Sequence, residues 1–267
     1  MAVSLNVVRA GPADGPRLLL IHGSAADHTT WTIQLASSLR ERFALIAYDR
    51  RGTGGSADAD RDGVATVETH ADDAADLAAA AAAAPAPVIA VGSSFGAVIA
   101  LDLARRYPER VAGLVLCEPP MAPSDVVPTT PAGFHARFDA LVAEAGGEAA
   151  AEFFLRTVLG DTAYERMPRT FQARSKALWR AIRADSHALD AYRPRYAELA
   201  GVRTPTLLFG GERSAPYFRP TLDALVAALP AAQLEILPGA GHMLHAEAAR
   251  TFNARLAAFA DERSGAR

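Results

Sequence analysis

Six short runs rich in aliphatic residues punctuate the chain, and all but the last, Gln233-Leu234-Glu235-Ile236-Leu237, are apolar without alternation. They fall at about residues 17–22, 43–48, 87–92, 111–117, 206–209 and 233–237; the first contains Leu18-Leu19-Leu20-Ile21. Runs that are apolar on both faces predict strands covered on both sides, as in a parallel sheet. Between them the pattern changes to helical spacing, over about residues 30–41, 67–84, 95–107, 218–229 and 246–262. Pro108 ends the third helix by forcing Tyr107 out of helical geometry. Pro220 suits the first turn of the fourth, where its missing N–H costs nothing. This alternation predicts an α/β fold built on a doubly wound, mostly parallel sheet.

One stretch breaks the alternation. Residues 120–200 hold no convincing strand, while Phe134, Phe138, Leu141 and Val142 share one helical face and Phe153, Phe154 and Val158 another. The expectation is an insertion domain of three or four helices set into a core formed by residues 1–119 and 201–267. No period of 20–50 residues repeats, which excludes a solenoid.

Composition narrows the class. Half of the 267 residues are hydrophobic, enough for a core without disulfides or a structural metal. Cys117 is the single cysteine, so no disulfide forms within the chain. With 27 Lys+Arg against 30 Asp+Glu, there is no electrostatic case for nucleic acid or an anionic membrane surface as partner. The alanine-rich residues 77–92 are broken by Pro85 and Pro87, which argues against a membrane span. Residues 1–10 lack the basic start and apolar centre of a signal peptide, so a soluble, cytoplasmic protein is expected. Residues 166–195 carry eight basic and two acidic side chains, read first as a solvated helix face and second as a pull on an anionic substrate.

The strongest chemical signal is Gly92-Ser93-Ser94-Phe95-Gly96, which follows a predicted strand and opens a predicted helix. In that context a G-x-S-x-G pattern makes a sharp turn that lifts the middle serine above the sheet at a helix N-terminus. Ser94 is therefore the candidate nucleophile, and Ser93 occupies the intervening position. A serine needs a base, and Gly241-His242 follows the last predicted strand. His245 stands three residues on, as a pocket-rim residue or the start of the last helix; no zincin spacing surrounds it, and no metal is expected. After the first long strand, His22-Gly23-Ser24-Ala25 can turn the backbone N–H of Ser24 toward the nucleophile. With the N–H of Phe95 this makes a two-donor oxyanion hole. Asp49-Arg50-Arg51-Gly52-Thr53-Gly54-Gly55-Ser56 reads mainly as a structural turn, since it has neither the lysine of a P-loop nor G-x-G-x-x-G spacing.

Taken together, His22-Gly23, Asp49 to Ser56, Gly92 to Gly96 and Gly241-His242 resemble the stations of the α/β-hydrolase superfamily, in the same order and across essentially the whole chain. The resemblance implies that the insertion after Cys117 is a helical cap. It also implies an acid after the penultimate strand, in a pattern like Gly-x-x-Asp. Here that place offers Arg213 or Ser214, neither of which can hold an imidazolium. Two carboxylates remain, Glu118 at the end of the strand before the cap and Glu212 in the penultimate loop. Some relatives resemble the first arrangement. A carboxylate at the end of a buried strand is costly unless paired, which favours Glu118 in a Ser-His-Glu triad. A Glu118 paired with a cap arginine stays open.

The nucleophile type limits the reaction. Dehalogenase-like and epoxide-hydrolase relatives resemble this fold but carry aspartate where Ser94 stands. A serine with a histidine base implies acyl chemistry on an ester, thioester or lactone without a cofactor. The same residues also suit C–C bond cleavage, perhydrolysis or a cyclisation, and a non-catalytic binding protein is the third reading. An apolar or aromatic acyl substrate would find candidate pocket walls in Trp179, Phe134 and Phe138 of the cap, with Phe153, Phe154, Tyr164 and Phe171 beside them, and packing within the cap core is the first reading for any single one.

Overall fold

The computed structural model describes residues 4–60, 63–80, 86–124, 130–193 and 196–263. Seven strands, β1 (Val7–Ala10), β2 (Arg17–Ile21), β3 (Ala44–Tyr48), β4 (Val88–Ser93), β5 (Val111–Cys117), β6 (Thr206–Gly211) and β7 (Ala232–Leu237), form one sheet in the order β1-β3-β2-β4-β5-β6-β7. Strand β1 runs antiparallel to its neighbour; β2 to β7 run parallel. The core helices are α1 (Thr32–Ala36), α2 (Val67–Ala80) and α3 (Phe95–Arg106), with α10 (Phe218–Ala228), α11 (Leu244–Glu247) and α12 (Ala249–Arg263) after the insertion. The insertion, between β5 and β6, contains α4 (Phe134–Ala145), α5 (Gly147–Leu159), α6 (Asp161–Arg166), α7 (Arg169–Ala177), α8 (Trp179–Ala191) and α9 (Tyr196–Leu199).

The unbroken apolar runs have the consequence their pattern predicts. Successive strand residues point to opposite faces. Leu19, Ile21, Ile46 and Ala90 join α2, α3 and α10 in one core, whereas Leu18, Leu20, Leu45 and Val91 join Trp31, Phe252 and Leu256 in the other. The insertion has a third core of its own around Phe134, Phe138, Ala150, Leu155 and Ile182.

Several boundaries differ from expectation. The edge strand β1 is not among the predicted strands; it is short and largely half-buried, so its residues carry no both-face apolar signal. The helix expected over 30–41 breaks at Ser37, which is extended (φ −82°, ψ 175°) and accepts from Leu39 N through its hydroxyl. Such local side-chain bonds compete with helix continuation. The last helix is interrupted at Ala248. The second helix is seen as far as Ala80, and residues 81–84 of the expected span lie outside the described residues, as does Arg195 of the basic stretch. The insertion shows six described helices rather than three or four, because Gly146 (φ 89°) and Gly160 (φ 80°) turn the chain in single-residue joints that periodicity does not register. Among the described residues no helix is long and apolar enough to cross a membrane.

Candidate active site

β4 ends at Ser93 and α3 begins at Phe95, so Ser94 makes the turn alone at φ 53°, ψ −123°. A non-glycine residue there is strained by about 1–3 kcal/mol and persists only where its surroundings hold it. Ser94 N donates to Cys117 O at 2.8 Å, and Ser94 O accepts from Ala97 N at 2.8 Å. The flanking glycines are needed for space. A Cβ on Gly92 would lie 2.2 Å from Gly96 O, and one on Gly96 would lie 2.2 Å from Ile21 O. As the first residue of its helix, Phe95 has no intrahelical acceptor for its N–H. The loop after β2 closes on the same turn: a Cβ on Gly23 would come within 2.9 Å of Ser94 Cβ.

Glu118 is the residue immediately after β5. The register pairs Ser93 with Cys117, so Ser94 and Glu118 leave adjacent strands at the same level. Glu118 turns at φ 44° and is 1% exposed. One oxygen, Oε1, accepts from Gly211 N at 2.7 Å; the other, Oε2, lies 2.7 Å from Nδ1 of His242. A carboxylate only accepts, so the proton belongs on Nδ1 and the lone pair on Nε2. The His242 ring is buried and stacks on Phe218, with centroids 4.4 Å apart and planes 11° from parallel. Glu212, the rival acid, is exposed and accepts from Gly239 N at 2.8 Å, on the loop leading to the histidine. Among the described residues no cap arginine meets Glu118; its partners there are Gly211 and His242.

Ser94 and His242 border one cavity of about 300 Å³. The Ser24–Thr30 side of the cavity comes from the loop after β2, Met243 and Ala246 follow His242 along it, and Phe154, Leu155, Val158, Leu159, Met167, Phe171 and Leu178 of the insertion supply its apolar roof. Its charged members satisfy each other: Arg174 Nη2 donates to Asp27 Oδ2 and, at 2.9 Å, to Thr29 Oγ1.

Four expected pocket residues lie elsewhere. Phe134 and Phe138 pack inward in the core of the insertion, where Phe134 stacks on Phe153 at 5.6 Å. Trp179 covers Gly147, where a Cβ would meet its ring at 2.2 Å, and Arg180 lies over the ring at 4.2 Å. His245 is fully buried against Trp31, with ring centroids 4.8 Å apart and no partner for either ring nitrogen among the described residues. Burial, with a smaller contribution from His242, lowers its pKa to about 3. An apolar helical stripe shows that a face is covered, not whether a core or a cavity covers it. Sequence reasoning accordingly misses Leu155, Val158, Met167 and Leu178 as wall residues, while Phe154 and Phe171 are among the aromatics it raises.

The glycine-rich segment after β3 wraps a carboxylate. Asp49 accepts from His28 N, Asn6 Nδ2 and Gly55 N at 2.7–2.8 Å, and a Cβ on Gly54 would strike it at 2.4 Å. Asp27, His28 and Asp49 bring ligand atoms within 4.8 Å of one another, but both oxygens of Asp49 already hold N–H donors. Arg50 is fully buried and pairs through Nη2 with Asp185 Oδ2 of α8 at 2.7 Å. Asp185 carries no signal in the sequence, since a single acid on a polar helix has no local signature.

Known proteins place this geometry in context. The carboxylesterase YbfK of Bacillus subtilis is 26% identical over 263 residues, covering 95% of this chain and 83% of that protein. The uncharacterized hydrolase YraK of the same species is 42% identical over 105 residues, but the match spans 39% of this chain and 38% of YraK. A putative carbamate hydrolase RutD of Variovorax paradoxus matches over a similar share, 39% of its length at 39% identity. Among solved structures, a thermophilic esterase from Thermogutta terrifontis superposes with a TM-score of 0.77 at 25% identity, over 97% of this chain and 93% of that one. The model of the alpha/beta hydrolase family matches residues 18–255, and the chain belongs to that family.

Proposed function

We propose that the protein is a serine hydrolase acting on a neutral carboxylic ester, thioester or lactone through an acyl-enzyme. The observation that carries this reading is the 2.7 Å contact between His242 Nδ1 and the buried Glu118 carboxylate, beside a cavity that Ser94 also borders. A carboxylate on Nδ1 fixes the tautomer whose Nε2 can take a proton. In the first half-reaction, Ser94 Oγ attacks the carbonyl carbon while Nε2 accepts the hydroxyl proton. Glu118 stabilises the imidazolium, and the N–H groups of Ser24 and Phe95 receive the developing oxyanion. Collapse breaks the bond to the leaving oxygen or sulfur, which takes the proton from Nε2–H. Water then repeats the sequence on the acyl-Ser94 ester, its proton going to Nε2, and Ser94 departs reprotonated as the acid is released.

The substrate class follows from the wall. Seven apolar side chains of the insertion face the cavity, and its Arg174 and Asp27 neutralise each other, so the acyl group taken is apolar and uncharged. The names of YbfK and the Thermogutta enzyme support esters as the first class to assay. In this reading the insertion acts as a cap that shapes acyl selectivity. The deciding experiment is labelling with a fluorophosphonate, mapped by mass spectrometry, beside p-nitrophenyl esters of graded chain length. A single adduct on Ser94, and a loss of several orders of magnitude in kcat for Ser94→Ala, are expected. An adduct on Ser93, or none, overturns the reading.

A further inference from the structure

We propose that Asp185, reaching in from the insertion, is a positioning residue for the oxyanion-binding loop, acting through Arg50 and Ser24. The proposal rests on the serine-hydrolase reading above and adds a condition to it: the loop is aligned for catalysis only while the insertion is seated.

Arg50 is the hub of the arrangement. It is fully buried, so each of its donors needs a partner. Nε donates to His22 O at 3.2 Å, and Nη2 donates to Gly23 O at 3.2 Å. Toward the insertion, Nη1 and Nη2 grip the two oxygens of Asp185 at 3.0 and 2.7 Å, a bidentate pair. The same guanidinium lies over the ring of Phe95, 4.7 Å from its centroid. One side chain thus touches both segments that bear the proposed oxyanion donors.

Peptide geometry turns that contact into orientation. The carbonyl of Gly23 and the N–H of Ser24 belong to one planar trans unit, so they point in opposite directions. Gly23 O is held by Arg50 Nη2 and lies 2.8 Å from His22 Nδ1. Fixing that oxygen fixes the direction of the Ser24 N–H. Ser24 is tied a second time, because its hydroxyl donates to Asp185 Oδ2 at 2.7 Å. Asp185 therefore holds the loop twice, once through Arg50 and once directly. Without it, Arg50 would be a buried cation lacking its counter-ion, free to swing from the carbonyls it now orders. The backbone of Arg50 is anchored independently, its N donating to His22 Nε2 at 3.0 Å, so losing Asp185 would loosen the side chain rather than the strand end.

The test compares wild type, Asp185→Asn and Ser24→Ala. The serine variant keeps the backbone N–H and removes only the tie to Asp185. Three quantities are measured: kcat and KM on a short p-nitrophenyl ester that makes little use of the cap wall, and Ki for an alkylboronic acid, whose tetrahedral adduct places an oxygen in the oxyanion hole. Losing an oxyanion donor outright typically costs 10²–10³ in kcat. A misdirected donor should cost less, so about tenfold is expected for Ser24→Ala and about a hundredfold for Asp185→Asn, with KM within twofold. The boronate Ki should rise in step with the fall in kcat/KM. A role confined to holding the insertion in place would instead raise KM and leave kcat and boronate affinity intact, and that result overturns the proposal. Should Asp185→Asn fail to fold, Ser24→Ala decides alone. A wild type that fluorophosphonate does not label refutes the hydrolase reading itself; a labelled wild type with boronate affinity unchanged in Ser24→Ala refutes this proposal only.

Discussion

Glu118→Gln replaces one oxygen by an NH₂ group with almost no change in shape, and the fixed partners of the side chain determine how the amide must sit. Gly211 N–H is a backbone donor, 2.7 Å from Oε1. The amide must present its oxygen there, because an NH₂ group would oppose one donor with another. Its NH₂ is then left facing Nδ1 of His242, where the carboxylate oxygen now stands at 2.7 Å. Nδ1 must become the acceptor, which moves the ring proton to Nε2 and points a donor at Ser94 instead of a base. The negative charge that would stabilise the imidazolium is lost as well. A wrong tautomer in an otherwise intact triad costs about 10⁴ in rate. We therefore expect kcat to fall by roughly 10³–10⁴, or about 4–5.5 kcal/mol of transition-state stabilisation. Both hydrogen bonds weaken from charge-assisted to neutral, so stability should fall by only about 1–3 kcal/mol. The assay is steady-state hydrolysis of an activated ester beside thermal unfolding, with Glu212→Gln as the control. Exposed and bonded to Gly239, Glu212 should alter kcat less than threefold when changed. Activity of Glu118→Gln within tenfold of wild type, or an equal loss in Glu212→Gln, would refute the reasoning.

Three further outcomes are expected. His22 and His245 are both fully buried, and desolvation lowers each pKa from 6.5 to about 3; Arg50 adds to the effect at His22 and His242 at His245. Between those values the unfolded chain binds the extra protons, so stability is full above pH 6.5 and is lost as pH falls toward 3, by roughly 1 kcal/mol per pH unit for each histidine. Denaturant titrations at pH 7 and pH 5 should show that loss, and equal midpoints would contradict it. Phe154→Ala should cut kcat/KM for long acyl chains about tenfold relative to short ones, with a smaller stability loss than a fully buried phenylalanine would show, since the ring borders the cavity while its other side packs on the insertion core. Phe138→Ala, in the core of the insertion, should instead cost about 3–5 kcal/mol and leave chain-length preference unchanged; a reversed pattern would return the pocket to the residues first expected. Gly96→Ala forces a Cβ to within 2.2 Å of Ile21 O and 2.7 Å of His22 O, so α3 must lift from β2. Thermal unfolding should show a loss of several kcal/mol, and an unchanged midpoint would show the contact to be softer than its geometry.

How much of the fold and site is legible in the sequence depends on how local each signal is. The parallel strands announce themselves because both faces of β2, β3, β4 and β5 are buried, leaving no polar position to interrupt the run. The turn at Ser94 is legible because no residue but glycine fits at positions 92 and 96. Glu118 can be singled out as a charge at the end of a buried strand, a position that demands a partner. The edge strand β1 offers no such signal, being half-exposed and only four residues long. Cavity wall and core are indistinguishable in the insertion, where both are apolar stripes on short helices. Asp185 is illegible for a different reason: its partners Arg50 and Ser24 lie 135 and 161 residues away, and no local pattern encodes that distance.

In the proposed triad the acid stands at the end of β5 rather than after β6, and this redistributes constraint along the chain. The spacing of Glu118 from Ser94 is set by the ladder that pairs Ser93 with Cys117, a rung of sheet, rather than by the conformation of a loop. The rest of the β5–β6 connection follows Glu118, so its length does not enter the register that spaces the two residues. Residues 212–216 gain a second kind of freedom. The contacts of that loop include Glu212 to Gly239, Arg213 N to Ala240 O and an ion pair of Arg213 with Glu247, and none of them joins the loop to the His242 imidazole. It becomes a place where a surface charge can be exchanged beside His242, with the Glu118 contact anchored one strand away.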